Sequence, residues 1–142
     1  MTFRNTLLAV FIITSFSAGH AQNDRKFNPK RFETDLQQFI VAEAALSPQE
    51  AAAFFPIYKE MHREQRTLFA KRRQYRHVDP SDDHAAREAI MQRDALDIQI
   101  KMLQQHYHDK FCDVLSPGKV FLIIKAENKF HRKAFRRMAK RK

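Results

Sequence analysis

One short phrase occurs twice in this chain, Leu46-Ser47-Pro48-Gln49-Glu50 and Leu115-Ser116-Pro117-Gly118-Lys119, each time between two long stretches of helical pattern. Each copy reads as a corner from one helix into the next. Ser47 and Ser116 can accept hydrogen bonds from backbone donors of the following helix, and Pro48 and Pro117 fall at the first helical position, where a missing N–H costs nothing. Glu50 completes a capping box with Ser47, whereas Lys119 cannot do so for Ser116. The chain is therefore expected to be all-α, a four-helix protomer of two long helical hairpins with equivalent corners.

The apolar spacing places the four helices. Phe32, Leu36, Phe39, Ile40 and Ala44 recur at three-and-four intervals and predict a first helix after a loose start at 22–29. The second starts at Pro48 and carries Ala51, Phe54, Phe55, Tyr58, Met61, Leu68 and Tyr75 along one stripe, with a bend expected at the internal Pro56. Turn chemistry at His77 to Asp83 marks a hairpin tip, and Ser81 followed by two acids is the expected start of a third helix. That helix carries Ala86, Ala89, Ile90, Leu96, Ile100, Leu103, Tyr107, Phe111 and Val114. The fourth, from Pro117, carries Val120, Phe121, Ile124, Phe130, Ala134, Phe135 and Met138. Phe54, Phe55, Tyr58 and Phe121 are expected in the core or at a contact with a second copy. Helices two and three would each span roughly 40 Å at 1.5 Å per residue. So thin a hairpin has little interior, and its leftover apolar surface calls for a partner, here a homodimer.

Residues 1–21 have the three parts of a cleavable export signal: a basic start at Arg4, an apolar run from Leu7 to Phe16, and small residues at Gly19 and Ala21. The apolar run is about half of the ~20 residues a membrane span requires. A mature chain starting at Gln22 would be periplasmic and form a single domain over 30–142. Cys112 is the only cysteine, so no internal disulfide is available; it is expected either to pair with a second copy or to stay reduced and buried.

The formal charge is +10, from 26 basic and 16 acidic residues, and losing Arg4 lowers it by one. Such a surface attracts acidic partners: unfolded chains, anionic lipid headgroups or nucleic acid, the last disfavoured by export. Gly118 is the only glycine outside the signal, so there is no glycine-rich phosphate loop, no dinucleotide fingerprint and no nucleophile elbow. No nucleophile and base stand at a recognisable spacing, and no catalytic residue is assigned; the chain reads as a binding protein rather than an enzyme.

An all-helical exported chain with two Leu-(Ser/Thr)-Pro corners resembles the Spy/CpxP group of periplasmic proteins, whose signature is a twice-repeated Leu-Thr-x-x-Gln. The segments Leu46 to Tyr58 and Val114 to Phe121 look most like divergent Bacteroidetes-type members, labelled as periplasmic heavy-metal or sigma-factor-linked sensors. Glu50 and Lys119 stand where that signature has Gln. The resemblance spans about Arg31 to Arg137. It implies a cradle-shaped dimer with a basic, partly apolar concave face, which holds unfolding proteins without ATP, restrains an envelope-stress sensor, or binds metal.

Three groups of residues carry the functional expectations. Basic side chains interleaved with aromatics, Arg63, Arg66, Phe69, Arg72, Arg73, Tyr75 and Arg76, would hold a flexible client first by charge and then by apolar contact. The alternative to this is a solvated face beside an ordinary packed stripe. His108 and Cys112 stand four residues apart on one helix face, a spacing suited to zinc or copper, with Asp109 and Asp113 adjacent. The bland reading is an exposed histidine beside a buried cysteine. The basic end, Arg132, Lys133, Arg136, Arg137, Lys140, Arg141 and Lys142, keeps an apolar side through Phe130, Phe135 and Met138 and could lie on an anionic membrane surface. The function expected is a periplasmic, ATP-independent chaperone or envelope-stress binding protein for unfolded or acidic clients. The alternative is a heavy-metal-responsive partner of a sigma-factor or kinase stress system.

Overall fold

The computed structural model describes residues 28–140. The expected export signal at 1–21, and the expected loose stretch as far as Phe27, lie outside the described residues. Four helices follow one another: α1 (Pro29–Ala44), α2 (Pro48–Arg73), α3 (Asp83–Val114) and α4 (Pro117–Ala139), with a 3₁₀ turn at Gln74–His77 continuing α2. Among the described residues no strand occurs.

Local side-chain chemistry sets the helix ends. Ser47 accepts from the Glu50 backbone N–H at 3.1 Å while the Glu50 carboxylate accepts from the Ser47 N–H at 2.8 Å, so the capping box is complete. Ser116 caps α4 by accepting from the Lys119 N–H. The start of α1 corrects the expected loose stretch: Pro29 is its first residue, and the Asn28 side chain accepts from the Arg31 N–H. α3 is capped by Asp82, not by Ser81. Ser81 is taken up by the preceding turn, where its N–H and hydroxyl both donate to the Asp79 carboxylate. α2 runs on through Pro56, which is exposed. There the lost hydrogen bond falls on the water side.

The arrangement differs from two successive hairpins. α2 and α3 form one long antiparallel hairpin, while α1 packs on α4. Phe130 of α4 meets Phe32 and Phe39 of α1, at ring separations of 5.2 and 5.5 Å, and Lys129 pairs with Glu43. Both serine-proline corners therefore meet at one end of the molecule, the base. Leu46 and Leu115, the leucines of the two phrases, are both buried there. Phe54, Tyr58, Met61, Tyr107, Phe111, Val120 and Ile123 complete the same cluster, with Phe54 and Phe111 at 4.8 Å. The rest of the hairpin is a two-helix arm that buries only Gln65, Ala89, Leu96 and Ile100.

The apolar stripes need five corrections. Ile90 and Val114 of α3 are exposed, as are Phe121, Phe135 and Met138 of α4. Phe121 is thus not a core residue of the protomer. Ile123 takes that place, because Val120, Ile123, Ala126 and Phe130 follow the three-and-four spacing toward the core and Phe121 lies about 100° to the side. Cys112 is exposed, not buried.

Candidate functional site

The last turns of α2 carry Arg66, Phe69 and Arg73 at intervals of three and four residues, so they share a face, and Arg72 and Arg76 lie one turn apart beside them. Across the hairpin Arg72 meets Asp97 of α3 at 2.9 Å. That register brings Arg93, one turn earlier on α3, opposite Arg76 on the 3₁₀ turn that continues α2. Arg66, Phe69, Arg72, Arg73, Arg76 and Arg93 together line a concavity of about 310 Å³ on the arm. Five of the seven residues expected to bind a client are brought together there. Arg63 instead lines a neighbouring groove, and Tyr75, half-buried on the 3₁₀ turn, lines neither. Arg93 escaped the sequence reading because its membership depends on the hairpin register; a turn position fixed in advance would have found it.

The neighbouring groove, about 690 Å³, lies where α1, α2 and α4 converge, and Arg66 borders both hollows. Its floor is Phe32, Leu36, Pro56 and Tyr58; its rim holds Arg63, His62 and His131. Beneath it sits Glu127 of α4, a mostly buried acid on an otherwise basic helix. The Tyr58 hydroxyl donates to Glu127 at 2.9 Å, and His62 Nε2 stands 3.2 Å from the same oxygen. Burial pushes the Glu127 carboxyl up, but the contacts with His62, Tyr58 and His131 outweigh it and hold the carboxyl below its ordinary range. Burial, followed by the adjacent Glu127 charge, pushes the Tyr58 hydroxyl far up.

The two corners are joined by charge. Lys119 Nζ reaches Glu50 at 2.5 Å and donates to the Ala45 carbonyl at 3.2 Å. The hydrogen bond from Lys119, followed by that from Ser47, holds the Glu50 carboxyl low. Ala45 itself takes a left-handed conformation (φ 46°) without being glycine, which turns its carbonyl toward Lys119.

On α3, His108 is half-buried against the Phe111 ring, and Cys112 is exposed one turn on. Among the described residues no group of three or more His, Cys, Asp or Glu side chains is placed to hold a metal ion. The outer face of α3, turned away from α2, carries Met91, Ala95, Ile98 and Met102 at intervals of four, three and four residues, all exposed. At the end of α4, Phe135 and Met138 lie exposed beside Arg132 and Arg136 in an open hollow; Arg141 and Lys142 lie outside the described residues. Among the described residues, no helix is long and apolar enough to cross a membrane.

No protein-family model matches this chain, and neither a curated protein nor a solved structure shows significant similarity to it.

Proposed function

We propose that this chain is an exported, ATP-independent binding protein that holds unfolded or acidic polypeptides against the basic, partly apolar arm of its α2–α3 hairpin. One observation carries the reading: Arg66, Arg72, Arg73, Arg76 and Arg93 line a single open hollow with Phe69, and among the described residues Asp97 is the only carboxylate that pairs with any of them. Clustered guanidinium groups draw in acidic segments over a Debye length, and the apolar surface beside them retains exposed side chains of a client. The export signal read in residues 1–21 and the paired Leu-Ser-Pro corners of the Spy/CpxP type support the same reading.

The working form is proposed to be a homodimer through the outer face of α3. In an antiparallel pairing of two α3 helices, Met91 meets the second copy's Met102, and Ala95 meets its Ile98. Asp94 then faces Lys101 twice, by symmetry. The cradle shape belongs to this proposal.

Light scattering of an aggregating acidic client tests the holding activity. The wild-type protein at several-fold molar excess should suppress aggregation, and the Arg66→Glu/Arg73→Glu/Arg93→Glu variant should not. Unchanged aggregation with the wild type rejects the reading. The metal-responsive alternative draws on His108 and Cys112 alone, a two-donor pair that a symmetric copy would have to complete; calorimetric titrations with zinc and with copper, both without heat above buffer, eliminate it.

A further inference from the structure

We infer that the arginine hollow of the arm is a binding site for a compact ligand bearing two or more phosphate groups, free or carried as a lipid headgroup. The inference shares its place with the client-holding proposal and does not depend on it.

The composition of the hollow is selective. Lysine and arginine occur in nearly equal numbers along the chain, and the basic end of α4 mixes them, yet every cation lining this hollow is arginine. Lys71, on the same stretch of α2, points into solvent and takes no part. A requirement for positive charge alone would be met by either residue. A requirement for planar, two-pronged donation to an oxyanion is met only by guanidinium.

The charge is also unbalanced. Arg72 is the only member with a carboxylate contact among the described residues, at 2.9 Å from Asp97. Its Nε is buried and finds no acceptor in line with its N–H. Arg72 is therefore held in place by the Asp97 charge. Arg66, Arg73, Arg76 and Arg93 are gathered from α2, the 3₁₀ turn and α3 without an acid between them. Like charges held together in a hollow repel one another, and a multiply charged anion removes that cost as it binds. Phe69, about one-third exposed, lowers the local dielectric along one wall and strengthens each contact. A volume near 310 Å³ lies at the lower limit of small-molecule sites, which fits a diphosphate or triphosphate group rather than a bulky body.

The test is calorimetric titration of the full mature chain with sodium tripolyphosphate at physiological salt, with citrate as the carboxylate control. Tripolyphosphate is expected to bind roughly tenfold or more tightly than citrate. Arg73→Lys/Arg93→Lys keeps every charge but loses the forked geometry, and should weaken tripolyphosphate binding by about tenfold. Equal affinity for citrate, or undiminished affinity in the lysine variant, reduces the hollow to a diffuse positive field and overturns the inference. Phosphatidylcholine vesicles doped with phosphatidylinositol 4,5-bisphosphate, whose headgroup carries two ring phosphates, tell the sources apart: binding that the lysine variant loses assigns a lipid-borne ligand, and binding of tripolyphosphate alone assigns a soluble one. Suppression of client aggregation is measured on the same variant. Its loss with tripolyphosphate binding intact counts against both the client proposal as a charge effect and the forked geometry, whereas its retention with tripolyphosphate binding lost supports the inference.

Discussion

The base of the molecule and the arm of its hairpin are made from the same two helices, yet they are held by different means. At the base, α2 and α3 are covered by α1 and α4, and aromatic side chains such as Phe54 and Phe111 are fully enclosed. Along the arm the same helices have only each other, and Ala89, Leu96 and Ile100 supply nearly all the buried apolar surface. Stability is thus concentrated where the corners meet, while the arginine hollow and the Met91 to Met102 stripe lie where little else depends on them. A binding surface can be greasy and charged only where the fold does not need it otherwise.

The sharpest way to break this comparison is to truncate each region in turn. Phe54→Ala or Phe111→Ala should cost about 3–5 kcal/mol, and Leu96→Ala only about 2, at the low end for buried leucines, as measured by urea unfolding. Equal losses would remove the distinction. Hydrogen exchange on the wild type should agree, with amides of the arm opening at lower free energy than those around Phe111.

Next in size is Glu127. Its carboxyl is held below the ordinary range in the fold, so its contribution is present above the unfolded-state pKa, near 4.5, and is lost as pH falls through the lower folded value. Glu127→Gln should cost about 1–3 kcal/mol at neutral pH and flatten the acid limb of the stability curve, followed by thermal unfolding from pH 7 to 3. Glu50 and Asp79 are also held low, so part of that limb will remain.

Ala45→Gly should stabilise the base by about 0.5–1 kcal/mol, since glycine accepts the left-handed conformation without steric cost. Smallest of all in stability is Ile98→Ser/Met102→Ser on the outer face of α3, expected within about ±0.5 kcal/mol. The same pair should abolish dimerisation in sedimentation equilibrium. A dimer that survives it places the contact elsewhere.

Features that depend on near neighbours were legible in the sequence. Ser47 with Glu50 and Ser116 with Lys119 fix the helix starts through contacts three residues long, and the structure has them. The pairing of α1 with α4 was not legible, because periodicity shows which face of a helix is apolar and not which helix covers it. Phe121 misled for a related reason: its size suggested burial, whereas the spacing of Val120 and Ile123 decided which side of α4 faces inward. Ser81 lost the cap of α3 to Asp82 because Asp79 already engaged it. Two elements of the candidate sites, Arg93 and Glu127, matter only through residues far away in the chain. Arg93 owes its role to the hairpin register, and Glu127 owes its burial to Tyr58 and His62 on α2.

The bridge between Glu50 and Lys119 gives the repeated phrase an uneven inheritance. The first copy spends its acid on its own helix start and on its sister at once, and the second copy, unable to close its own box, clasps the first instead. Neither position is then free to drift alone. A descendant that acquires an acid at 119 should be found to carry a base at 50, and a duplicate restored to perfect symmetry would set two like charges against each other where both corners meet.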